Sequence, residues 1–199
     1  MKKTLLGFAL VLGFSTYVNA EEPNIVALTA TCVACHGADG NSMEFTPTWP
    51  KLAGQGANYL YKQLIDIRDG RRPIPEMTGM VDHFTDADAR AVANHYAQME
   101  GNSGSGETNE LGETLYKVGS LSKGITACTA CHLPSGEGNQ PAAFPAVAGQ
   151  QVAYLANQLT TFRDASRTND PNKMMQLIAE RLNDDEIEAL ANYMSSLKP

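Results

Sequence analysis

The sequence predicts an all-α protein made of two similar helical units in tandem. Three observations carry that prediction. The chain repeats itself, with offsets of 96 residues at Cys32 and Cys128, 95 at Pro50 and Pro145, and 98 at Asn94 and Asn192. Apolar residues in each copy recur at helical spacing. No stretch of useful length alternates as a half-buried strand does.

The elements follow in order. Met1-Lys2-Lys3, an apolar run from Leu5 to Phe14 and the small residues before Glu21 read as a secretory signal peptide, residues 1–20. The run is too short for an ordinary membrane span. Ile25, Val26, Leu28 and Ala30 then precede one motif, and Leu111, Leu115, Tyr116 and Val118 precede its copy at helix-like spacing. Leu60, Leu64 and Ile67 share a helical face in the first unit, and Leu155, Leu159 and Phe162 do so in the second. The last helix of each unit opens on a capping signal, Thr85-Asp-Ala-Asp88 and Asn183-Asp-Asp-Glu186. Between the copies, Gly101 to Asn109 is rich in Gly, Ser and Asn and reads as a flexible linker. The expected division is residues 21–100, linker 101–109 and residues 110–199.

The repeated motif is Cys32-Val-Ala-Cys35-His36 and Cys128-Thr-Ala-Cys131-His132, which together use every cysteine in the chain. Two thiols separated by two residues sit about one helical turn apart, so each can form a thioether with one vinyl edge of the same porphyrin. The histidine lies four residues beyond the first cysteine and can reach the iron from the same face. This is the attachment signature of a c-type haem, and it implies two covalent haem c groups, one per unit. Disulfides, a zinc site or a redox-active dithiol would not need a histidine directly after each pair.

A filled sixth iron position gives electron transfer, and an open one gives ligand binding or catalysis. The remaining histidines, His83 and His95, fall opposite Arg181 and Tyr193 in the repeat. Methionines align better. Met77 stands seven residues before Phe84, and Met175 seven before Leu182, just ahead of the capping residues. Met80 falls opposite Ile178 and Met174 opposite Glu76. Met77 and Met175 are therefore the expected sulfur ligands, with Met174 the alternative to Met175. Met43, Met80, Met99 and Met194 read as core fillers.

Charge narrows the partners. Losing Lys2 and Lys3 from 15 basic residues leaves 13 against 22 acidic, a formal charge of −9. Such a surface disfavours nucleic acid and suits a basic docking patch on a redox partner. Export also fits thiols consumed as thioethers rather than left to oxidise.

With these residues in view, the chain resembles the di-haem cytochrome c4 family over residues 21–199. The Cys-x-x-Cys-His motifs, Gly37-Ala-Asp-Gly40, Pro50-Lys-Leu-Ala-Gly-Gln55, Glu76-Met-Thr-Gly-Met80 and Arg167-Thr-Asn-Asp170 carry the resemblance. It implies two class I cytochrome c domains related by a pseudo-twofold axis, with the haems facing each other. It assigns Cys32 and Cys35, and Cys128 and Cys131, to the haem thioethers. It places His36 and Met77 on one iron and His132 and Met175 on the other. It also implies a periplasmic, monomeric carrier, in some members associated with the membrane surface, passing electrons from a quinol:cytochrome c reductase to a terminal oxidase. In such domains a proline carbonyl accepts the histidine Nδ1–H, and Pro50 and Pro145 compete with Pro47 and Pro141 for that part. Arg68 and Arg163 either pair with haem propionates or sit on a solvated face. Trp49 and Phe144 would wall the porphyrin. Two other functions remain to be weighed: a di-haem peroxidase, which needs a displaceable ligand and polar distal groups, and the haem subunit of a larger dehydrogenase.

Overall fold

The computed structural model describes residues 23–42 and 48–198. The expected signal peptide, Met43 and Pro47 lie outside the described residues. Among those described, the secondary structure is helical. Two isolated bridges, Ser120 with Ile125 and Asn139 with Phe144, are the extent of β pairing there. The first half contains α1 (Ile25–Thr29), α2 (Val33–His36), α3 (Ala57–Arg68), a 3₁₀ turn at Pro75–Met77 and α4 (Asp86–Ala97). The second half repeats the order with α5 (Glu110–Lys117), α6 (Thr129–His132), α7 (Val152–Arg163), a 3₁₀ turn at Pro171–Lys173, an additional helix α8 (Met174–Ala179) and α9 (Asp184–Ser196).

Local chemistry starts these helices where the sequence places them. Asn24 and Asn109 accept from the backbone amides of Ala27 and Gly112 and open α1 and α5. Both capping boxes form. Thr85 accepts from the Asp88 amide while Asp88 accepts from the Thr85 amide, and Asn183 and Glu186 make the same exchange.

Each half builds its own core. In the first, Leu60, Val81, Phe84, Val92, Ala93 and Tyr96 bury together, as α3 and α1 pack on α4. In the second, Leu115, Tyr116, Leu155, Leu159, Ile187, Leu190 and Met194 do so, as α5 and α7 pack on α9. The expected face of α7 is buried as read, and α4 and α9 bury Ala89, Val92, Ala93 and Tyr96 and Ile187, Leu190, Ala191 and Met194. Two faces differ. On α3, Leu60 is buried but Leu64 and Ile67 are only partly covered and line an internal cavity, while Gln63 and Asp66 are buried. On α5, Leu111 and Val118 are exposed at 44% and 71%, and Gly112 is buried with Leu115 and Tyr116. A Cβ on Gly112 would stand 2.1 Å from the Ala189 carbonyl oxygen, so α5 meets α9 where only hydrogen fits.

The halves exchange the same bonds across their seam. Gln55 donates to the Ala146 carbonyl at 2.9 Å and accepts from the Ala146 amide at 2.8 Å. Its repeat mate Gln150 donates to the Lys51 carbonyl at 3.0 Å and accepts from the Lys51 amide at 2.9 Å. Lys51 and Ala146 are themselves repeat mates, so the contact is self-complementary, as a twofold interface is. The connecting segment is not slack, as its composition suggested. Lys51 Nζ donates to the carbonyls of Asn102, Ser103 and Gly149, and the Gly106 amide donates to Ser195 Oγ. These contacts hold the segment at Asn102, Ser103 and Gly106, while most of its residues remain exposed.

Candidate haem site between the halves

In each half a single helical turn sets the geometry of the motif. The His36 amide donates to the Cys32 carbonyl at 2.8 Å, and the His132 amide to the Cys128 carbonyl at 2.9 Å. That i, i+4 bond brings the first cysteine and the histidine onto one face. The turn ends at a positive φ in both halves, on Gly37 (φ 78°) and on Leu133 (φ 65°).

Both histidines are buried, and each ring is fixed by its second nitrogen. His36 Nδ1 lies 2.9 Å from the Pro50 carbonyl oxygen and His132 Nδ1 lies 2.8 Å from that of Pro145. A carbonyl oxygen only accepts, so Nδ1 carries the proton and Nε2 keeps its lone pair for a metal. Burial holds both imidazoles below their ordinary pKa, against the proline carbonyl, which favours the charged form. Of the competing prolines, Pro50 and Pro145 make the contact, and Pro141 lies exposed.

The four cysteines are unpaired with one another. Burial raises the Cys32 thiol above its ordinary pKa and pushes Cys128 up to about 11. A redox-active dithiol needs a depressed thiol, so these environments do not suit one. No three His, Cys, Asp or Glu side chains among the described residues converge on a point that could hold a metal, so the two pairs do not form a four-sulfur site.

Cys32, Cys35, His36, Cys128, Cys131 and His132 all line one cavity of about 730 Å³ that runs between the halves, walled largely by apolar groups. Trp49 and Phe144 line it as expected. Met77 and Met80 of the first half and Met174 and Met175 of the second also reach it. Of each pair, Met77 and Met175 pack on the core of their own half. Met80 is 41% exposed. Asp170 accepts from the Met175 and Gln176 amides at 2.9 and 3.1 Å and so fixes the start of α8. His83 and His95 do not line the cavity; they stack edge-on against Phe84 and Tyr96.

The arginines differ from one part of the reading. Arg68 binds Asp69 and Asp86, and Arg163 binds Asp164 and Asp184. Both hold the end of one helix to the start of another, so the propionate role is not theirs. The buried arginines are Arg72 and Arg167, repeat mates that the sequence reading passed over. Their backbone amides donate to the carbonyls of Asp66 and Thr161, both at 2.9 Å, and their side chains cross the seam. Arg72 binds Gln63, Tyr154 and Gln158; Arg167 binds Gln158, Tyr59 and Gln63. The signal was present as polar residues that the repeat matches at an offset of 95: Tyr59, Gln63 and Arg72 against Tyr154, Gln158 and Arg167.

An iron porphyrin fits this site. The cavity is apolar where a ring would lie, each imidazole offers Nε2, paired thiols sit beside it, and sulfur is available from the segment before the last helix. Arg72 Nε is buried with no hydrogen-bond partner among the described residues, as suits a site that receives an acceptor.

Comparisons agree. The family described as Cytochrome c matches residues 24–100 and 110–198. The chain is similar to cytochrome c4 of Azotobacter vinelandii, 42% identical over 211 residues, which span 99% of this chain and 100% of that one. It is similar to a thiosulfate dehydrogenase electron acceptor of Stutzerimonas stutzeri (strain A1501), 39% identical over 171 residues, 83% of this chain and 78% of that one. The solved structure of reduced recombinant cytochrome c4 from Pseudomonas stutzeri superposes with a TM-score of 0.84 at 42% identity, covering 87% of this chain and 97% of that one.

Proposed function

This chain belongs to the cytochrome c4 family and is a di-haem electron carrier with two covalent haem c groups, and from that premise we propose that it works in the periplasm between a quinol:cytochrome c reductase and a terminal oxidase. In this reading residues 1–20 direct export, residues 21–100 and 110–199 are the two cytochrome units, and the mature chain is a monomer. No helix among the described residues is long and apolar enough to cross a membrane.

The ligand set proposed is His36 and Met77 for the first iron, His132 and Met175 for the second, with thioethers from Cys32, Cys35, Cys128 and Cys131. The observation that carries it is the matched pair of Nδ1–H bonds to Pro50 and Pro145, which leaves one Nε2 free in each half. When bound, a haem iron supplies the one-electron ferric–ferrous couple. The residues do the rest. The proline carbonyl orients the imidazole and raises its basicity. A methionine sulfur on the remaining position favours the ferrous state. The apolar wall keeps water from the iron, which limits reorganisation during transfer. A histidine and a methionine held on each iron would leave no place for a substrate, and this would separate the carrier from a peroxidase.

An absorption spectrum of the oxidised protein tests the ligation. The weak far-red band of methionine bound to ferric iron is expected at two haems per chain. A high-spin signal from either haem in the resting protein counts against the carrier reading. One specific similarity favours a second donor: the relative described as a thiosulfate dehydrogenase electron acceptor. Stopped-flow reduction of this protein by a quinol:cytochrome c reductase and by a thiosulfate dehydrogenase separates the two, and faster reduction by the dehydrogenase would replace the respiratory placement.

A further inference from the structure

Arg72 and Arg167 occupy equivalent places, yet their environments differ at one atom. Arg167 Nε donates to Asn169 Oδ1 at 3.0 Å. Two residues beyond Arg72 the repeat has Ile74 instead of Asn169, which offers no acceptor. Arg72 is 6% exposed, lines the cavity, and its Nε–H is the buried donor without a partner. Its two terminal nitrogens are already committed, to Gln63 at 2.9 Å, Tyr154 at 3.1 Å and Gln158 at 3.0 Å. The guanidinium is thus held rigidly, with its Nε–H buried and without a partner among the described residues.

Among the described residues Arg72 Nε is the one buried side-chain nitrogen or oxygen without a hydrogen-bond partner, and a buried cationic donor left unpaired is costly. We propose that Arg72 Nε–H is the donor for a haem propionate carboxylate at the seam, and that Asn169 withholds the equivalent nitrogen of Arg167 from that role. The inference rests on the two-haem reading above. It makes the seam unequal. One of the four propionates is neutralised by an arginine pinned to both halves, and the other three must find their donors elsewhere. A carboxylate so paired stays ionised across the neutral range. Its charge then does not vary with pH, so this carboxylate adds no pH dependence to the potential of the haem that bears it.

The test is spectroelectrochemical titration of both potentials at a series of pH values between 5 and 8, on protein whose mass shows two haems. In Arg72→Gln one potential is expected to fall and to become pH-dependent, declining as pH rises while the freed carboxylate ionises; the other potential keeps its profile. The haem that moves identifies which carboxylate Arg72 holds. Ile74→Asn keeps the guanidinium but offers Nε a carboxamide, as Asn169 does for Arg167, and is expected to introduce the same pH dependence with a smaller fall. If both potentials move together with unchanged pH profiles, Arg72 acts only as a distant charge and the proposal fails. It fails equally if neither potential moves. Should Arg72→Gln not fold, a flat profile in Ile74→Asn overturns the proposal alone. Protein that carries no haem by mass in the unmutated chain would instead defeat the two-haem reading.

Discussion

The two halves share one plan and differ in how much structure encloses it. The helix before the motif is five residues long in the first half and eight in the second. The segment before the last helix is a single 3₁₀ turn in the first half, whereas the second adds α8. Non-glycine residues at positive φ follow the same division. Ser42 is the one among the described residues of the first half, against Leu133, Ala143, Ala165, Asn172 and Lys173 in the second. At two of these positions the first half uses glycine: Gly37 opposite Leu133, and Gly70 opposite Ala165. A residue stays in a sparsely populated backbone region only when its surroundings over-determine it. The more heavily packed second half does so, and the first relies on glycine.

The largest expected break in this symmetry comes from the sulfur ligands. Met77→Ala and Met175→Ala should each lower one potential and spare the other, by on the order of 100 mV, a fraction of the roughly 0.8 V that axial ligation spans. Each should also remove half of the far-red band. Met174→Ala should leave both potentials near their original values. If Met175→Ala leaves them unchanged and Met174→Ala does not, the ligand of the second half is Met174, and the seven-residue spacing to the last helix has misled.

Much of this site was legible because covalent chemistry and helix starts leave short-range marks. The Cys-x-x-Cys-His turns, the capping boxes at Thr85 and Asn183 and the buried face of α7 all rest on neighbours within a few residues in sequence. What was hidden depends on distant partners. Gly112 carries no apolar side chain, so a periodicity count passes over it, although the α5–α9 crossing needs its missing Cβ. Leu64 and Ile67 sit on the predicted stripe but face the cavity, because Gln63 and Asp66 are drawn into the seam by Arg72, Arg167 and Asn169. Gln55 and Gln150 match in the repeat, but nothing near them in sequence marks their partners. Only the fold shows that each satisfies a backbone pair of the opposite half. Arg68 and Arg163 matched in the repeat and still served helix ends, so repetition alone marks structure as readily as chemistry.

A smaller effect sharpens the contrast in backbone strain. Gly37→Ala should destabilise the first half by about 1–3 kcal/mol, since the added Cβ sits at φ 78° and 3.0 Å from Asp39 Oδ1. Leu133→Gly relieves a similar strain and adds unfolded-chain entropy of about 0.5–1 kcal/mol. The second half should therefore melt within about 1 kcal/mol of the unmutated protein, or above it. Calorimetry of both variants decides this. Equal destabilisation by the two changes would mean that Leu133 is held by its packing alone and that its φ costs nothing.

The smallest effect concerns the third residue of the last helix in each half. Asp88 is partly exposed and answers only Thr85, while Glu186 is largely buried and receives Lys123 Nζ on both carboxylate oxygens at 2.6 and 2.7 Å. Burial alone would raise the Glu186 pKa, but the hydrogen bonds from Lys123 and from the Asn183 amide hold it below its ordinary 4.5. A depressed folded-state pKa stabilises above the unfolded value, and that contribution is lost as pH falls through the folded one. The Lys123–Glu186 pair should thus support the second half at neutral pH and stop doing so in acid. Lys123→Met removes the partner and leaves burial to act, so the carboxyl takes its proton at higher pH. The variant should lose up to about 1 kcal/mol at pH 7, because Lys123 is 39% exposed and partly screened. That deficit should shrink as pH falls through the lowered folded-state pKa of Glu186, where the unmutated protein loses the pair too. Thermal melts of the two proteins from pH 7 to pH 3 measure the difference directly. A deficit that stays constant across that range would assign Lys123 to packing and leave the ion pair without a role in distinguishing the halves.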